Sequence, residues 1–69
     1  MKTLQSRLLD AQARGDQSAL VTLYTEAADS TDVIDAACFY LTHAYIFALE
    51  LGDPVSDALF ARLKVHGRV

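Results

Sequence analysis

Staples are scarce in this chain. One cysteine among 69 residues cannot close an internal disulfide, so no disulfide framework braces the fold. The two histidines and that single cysteine make no pattern of structural-zinc type. Proline occurs once and tryptophan not at all. Positive charge is missing from the middle: Lys2, Arg7, Arg14, Arg62, Lys64 and Arg68 leave no base between Gly15 and Ala61. A nucleic-acid binder needs a basic patch to neutralise phosphates. The expectation is no nucleic-acid partner. No Gly-rich phosphate loop, nucleophile elbow or paired acid–base constellation is present, and the reading is non-catalytic. No cofactor is expected.

What the chain has is apolar. Hydrophobic residues make up 52% of it, too many for a disordered segment. A chain this short buries only about 60% of the surface it exposes when unfolded. Without staples, stability must come from helix packing, self-association or both. The first residues, Met1 to Arg7, show no apolar secretory core. The most apolar stretch, Ala36 to Leu49, is fourteen residues broken only by Thr42 and His43. Spanning a bilayer takes about twenty apolar residues, and runs of about ten to fourteen read as buried core helices. The expectation is a soluble cytoplasmic protein without a membrane partner.

The periodicity predicts one all-α domain, residues 1–69, with helices over about 3–13, 16–28, 33–51 and 54–66. In the first, Leu4, Leu8 and Ala11 recur at helical spacing and Leu9 broadens the face. Asp10 and Arg14 are spaced for an i,i+4 ion pair. Gly15 ends this helix and Asp16 caps the next. Leu20, Leu23, Tyr24 and Ala27 form the second stripe. Within Asp29-Ser30-Thr31-Asp32, Asp32 is the expected cap of the third helix. Gly52-Asp53-Pro54 stops that helix and starts the fourth, with Asp53 as cap and Asp57 placed to complement its N-terminus. Val55, Ala58, Leu59, Phe60 and Leu63 are the apolar residues of the fourth helix, and Gly67 is its expected terminator. Short connections fold the helices into two antiparallel αα-hairpins.

The third helix is unusual. Fifteen of the nineteen residues from Val33 to Leu51 are hydrophobic. On a helical wheel they form two faces. Ile34, Ala37, Cys38, Leu41, Ala44, Tyr45 and Ala48 make one. Ala36, Phe39, Ile46 and Phe47 make the other, with His43 and Glu50 among them. A helix apolar nearly all round is normally covered on most sides. Three short helices cannot readily cover both faces, so the second is an expected interaction face: Phe39, His43, Ile46, Phe47 and Glu50. A second copy of the chain in a homodimer is the first expectation for its occupant. A different protein is the second.

Other constellations are weaker. His43 and Glu50 share a face two turns apart and supply two donors to a small-molecule or metal site. Cys38 and His43 are separated by about 140° on the wheel, which excludes a nucleophilic pair on one face. Tyr40, His43 and Phe47 are placed to line a ligand cleft. Glu26, Asp29, Asp32 and Asp35 recur every third residue, without the alternating ligands, central Gly and distal Glu of a calcium loop. Capping and solvation account for them.

Leu8 and Ala11 precede Gly15-Asp16, and Leu20, Tyr24 and Ala27 follow it. Tyr40, Ala44 and Tyr45 precede Gly52-Asp53, and Ala58 and Leu63 follow. This arrangement resembles the tetratricopeptide-type helical-hairpin repeat. The two turns are 37 residues apart, against a family period of about 34. Leu20 stands where the family places a small residue. The resemblance implies protein–protein interaction without catalysis. Such repeats usually stack about three units, and this chain holds two.

Overall fold

The computed structural model describes residues 3–68. Four helices follow in order: α1 Leu4–Arg14, α2 Gln17–Asp29, α3 Ile34–Leu51 and α4 Val55–Val65. No strand occurs among the described residues. The fold is all-α, and the bounds fall within one residue of those expected from the sequence.

The turns follow from local chemistry. Gly15 has φ 64° and ψ 29°, and Gly52 has φ 67° and ψ 26°. Left-handed backbone costs an L-residue about 1–2 kcal/mol and costs glycine almost nothing. Each glycine is followed by the same closure. The Asp16 amide donates to the Ala11 carbonyl, and the Asp53 amide to the Ala48 carbonyl, both at 2.9 Å. Those bonds satisfy carbonyls that the helix end leaves open.

Helix starts are more varied. Thr3 caps α1 by accepting from the Ser6 amide, and Asp16 caps α2 by accepting from the Ala19 amide. At α4, Pro54 takes the cap position and Asp53 accepts from the Val55 amide at 2.9 Å. Asp32 does not cap α3, contrary to expectation. Val33 holds the cap position in extended conformation, and Thr31 accepts from the Val33 amide instead. The threonine hydroxyl closes a local turn there, which competes with a conventional cap.

Each helix packs on its sequence neighbour, and α2 with α3 is the most extensive pairing. The two hairpins are therefore joined more closely than either is within itself. Small side chains allow this approach: Ala27 and Ala28 on α2, with Cys38, Ala44 and Ala48 on α3, are buried. Leu41, Leu59 and Leu63 are the largest fully buried side chains. The expected α2 stripe of Leu20, Leu23, Tyr24 and Ala27 is buried throughout. Leu9 was expected to broaden the apolar face of α1, but it is 59% exposed. α1 packs only on α2, so a narrow stripe suffices. Ile34, at the first turn of α3, and Ala58 on α4 are also exposed.

Ion pairs draw the basic ends over the acidic middle. Arg7 reaches Glu26 at 3.1 Å, Arg62 pairs with Asp29, and Arg68 pairs with Asp35. Arg14 donates to the main-chain carbonyl of Asp10 and lies 3.9 Å from Asp16. All are solvent-exposed pairs, which contribute little to stability because water screens them. Their effect is to spread the charge that the sequence segregates.

The Cα trace spans 34 × 28 × 12 Å. Two helices stacked at normal axial separation need about 13–15 Å of Cα depth. The molecule is a thin slab, and a slab cannot wrap a helix apolar on both faces.

Candidate interaction face

The slab leaves one side of α3 open. Asp35, Phe39, Thr42, Ile46 and Leu49 are all exposed. Successive spacings are four, three, four and three residues, which keeps them in one stripe along the helix. Phe39 is 58% exposed, Ile46 48% and Leu49 53%. Exposed large apolar side chains scattered singly are ordinary, whereas an aligned group marks an association surface.

An aromatic border runs along the α2 side of the stripe. The ring of Tyr24 lies 5.1 Å from His43, 6.0 Å from Phe47 and 6.3 Å from Tyr40. Phe39 packs 4.4 Å from His43 and 5.7 Å from Tyr40. On the α4 side, Tyr45 meets Phe60 at 5.9 Å. All six aromatic residues of the chain thus gather on α3 or against it.

The residues expected to form the face divide into two sets. Phe39 and Ile46 lie in the open stripe. His43 and Phe47 are half-buried on its border, where both stack against Tyr24. The His43 Nδ1 sits 2.9 Å from the Phe39 carbonyl, one turn back. Glu50 is exposed and accepts from Gln17 of α2 at 2.9 Å. Leu49 and Phe60 join the face without having been expected there. Leu49 follows Ile46 by three residues, so its place was available from spacing alone. That of Phe60 was not, because it depends on where α4 docks.

The geometry bears on the other chemistry considered from the sequence. Tyr24 fills the space between Tyr40, His43 and Phe47 where a ligand cleft was expected. His43 and Glu50 gain no third donor: among the described residues, no three His, Cys, Asp or Glu side chains come together as a metal site. Of the acidic series at the α2–α3 junction, Glu26, Asp29 and Asp35 each hold an arginine. An open groove of about 440 Å³ lies between Val21 and Thr25 of α2 and Val55 of α4. Glu26, Asp29 and Asp53 also line it, the first two already paired.

α3 is long and apolar enough to cross a membrane by length and composition, at 18 residues and mean hydropathy 1.2. The core helix of a soluble protein passes the same test. No protein-family model, curated protein or solved structure matches the chain.

Proposed function

We propose that this protein is a small non-catalytic interaction module that self-associates through α3 and works in the cytoplasm. One observation carries the reading: Phe39, Ile46 and Leu49 stand in line on α3, each about half exposed. Fully burying such a side chain contributes about 1.5–3 kcal/mol before the entropy of association. Roughly half of that remains to be gained at each of the three positions. For a chain of this size, whose own core is small, the gain is comparable to its folding stability.

The surrounding chemistry supports the reading. The three arginines nearest the acidic surface are engaged in ion pairs, which leaves little free positive charge for phosphates. The turns at Gly15-Asp16 and Gly52-Asp53 share one backbone geometry. That is in keeping with two helical-hairpin units of tetratricopeptide type, a fold that serves protein binding.

Sedimentation equilibrium tests the proposal. The wild-type chain should be dimeric at micromolar concentration. Phe39→Asp or Ile46→Asp should give a monomer that keeps its helical circular dichroism. A folded wild-type monomer under those conditions would overturn it.

A further inference from the structure

The exposed stripe has a direction and a register. We propose that two copies meet antiparallel along α3, with Phe39 of one copy opposite Leu49 of the other, Thr42 opposite Ile46, and Lys64 opposite Asp57. The inference rests on the self-association reading and adds to it an orientation, a register and a pair of charge contacts on α4.

The register comes from the spacing. Alternation by four and three is the core repeat of paired helices, in which each side chain fills a gap between residues of the facing helix. The Phe39–Leu49 and Thr42–Ile46 pairs are both centred on position 44, so one two-fold axis there generates both. Large side chains then meet at the two ends of the seam, and threonine meets isoleucine between them. Shifting the register to set Phe39 opposite Thr42 would press Asp35 onto Ile46 and leave Leu49 uncovered. Burying a carboxylate against an apolar side chain is costly.

The orientation comes from charge. α4 runs back along α3, as the Tyr45–Phe60 and Asp35–Arg68 contacts show. Phe60 leans on Tyr45, the neighbour of Ile46 in sequence, so this edge of α4 borders the open face of α3. Asp57 and Lys64 lie on the same edge, three residues before Phe60 and four after it, and all three are exposed. Neither Asp57 nor Lys64 forms an ion pair among the described residues. Counting along the antiparallel helices from the Tyr45–Phe60 contact sets Asp57 level with about Ala48 and Lys64 with about Leu41. A two-fold axis at position 44 carries one level onto the other. Lys64 of each copy then faces Asp57 of its mate, twice in the dimer. Parallel pairing would instead carry the two α4 edges to opposite sides of the seam, out of reach of each other. The ends of the seam are compatible as well, because each Asp35 carries its own Arg68. Contacts of this kind at an interface rim set orientation more than affinity.

Charge reversal tests the arrangement. Asp57→Lys and Lys64→Asp, each alone, should weaken dimerisation about tenfold at low salt, since two attractive pairs become repulsive. The double variant should recover wild-type affinity. Both substitutions oppose the α4 dipole, so recovery cannot come from a better helix. A parallel dimer would be insensitive to either single change, and that result overturns the antiparallel register while leaving self-association intact. Should the double variant lose its helix, salt decides. The wild-type dissociation constant should rise with ionic strength, and a fall would overturn the proposal. A wild-type chain found as a folded monomer overturns self-association itself. The same holds for one that stays monomeric and co-sediments with phosphatidylcholine vesicles, which would assign the face to lipid.

Discussion

Tyr24 of α2 stacks on His43 of α3, with ring centroids 5.1 Å apart and planes 28° from parallel. The same ring meets Phe47 and Tyr40, and its hydroxyl accepts from the Gln12 side chain of α1 at 3.0 Å. One buried side chain therefore ties three helices together. Tyr24→Ala should lower stability by about 3–5 kcal/mol, enough to abolish cooperative melting in a domain this small. Tyr24→Phe removes only the hydroxyl contact and should cost about 0.5–1.5 kcal/mol. Thermal melts followed by circular dichroism check both. Equal losses in the two variants would show that the ring packing matters less than the hydroxyl.

Phe39 and Phe47 should respond differently to the same substitution. Phe39 is mostly exposed, and Phe47 packs against Tyr24 in the interior joint. Phe39→Asp is expected to separate the copies and preserve the helices. Phe47→Asp sets a carboxylate against the Tyr24 ring and should unfold the chain. Sedimentation combined with circular dichroism separates the outcomes, and two folded monomers would contradict this division.

Gly52 stands at φ 67° with open space where a Cβ would project. Gly52→Ala should therefore cost about 1–2 kcal/mol through backbone strain alone. Gly52→Asn should cost less, because asparagine tolerates the left-handed region better. Chemical denaturation midpoints give the comparison. An alanine variant as stable as wild type would mean that the turn relaxes.

Arg68 ties the end of the chain to the start of α3. Its hydrogen bond to Asp35, and then the carboxylate charge, raise the guanidinium pKa above its ordinary value. A raised pKa means the stabilisation is complete below the unfolded value and fades only as pH climbs through the folded one. The pair should therefore be constant across the neutral range. Arg68→Gln should produce a small drop in melting temperature at low salt that vanishes at high salt. A large drop persisting in high salt would point to packing by the side chain rather than charge.

Much of the fold was legible because local chemistry enforces it. Gly15 and Gly52 end helices through a backbone conformation that other residues resist. Asp16 caps α2 through its own neighbours. The Leu20, Leu23, Tyr24 and Ala27 stripe states which side of α2 is buried. Asp32 was misread because α3 starts one residue later than a cap at Asp32 requires: Val33 takes the cap position, and no side chain accepts from the first amides of the helix. Leu9 was misread because the width of an apolar stripe does not say how many neighbours a helix has.

The candidate face was legible to the extent that it follows helix periodicity. Phe39 and Ile46 share a stripe in sequence and in structure. His43, Phe47 and Glu50 fall within the same broad sector of the wheel, yet Tyr24 and Gln17 reach them from α2. Composition cannot separate these sets, since a phenylalanine is equally apolar on the border and in the open.

By itself the sequence determined that this chain is all-α, where its helices turn, and that α3 carries more apolar surface than the rest can hide. Those properties depend on residues close together in the chain. The tertiary structure alone decided which part of that surface stays open and how Arg7, Arg62 and Arg68 cover the acidic middle. It also decided that Phe60 of α4 docks against Tyr45, beside the α3 stripe. These depend on helix docking, where the small side chains of α2 and α3 allow close approach and a thin slab leaves one face uncovered.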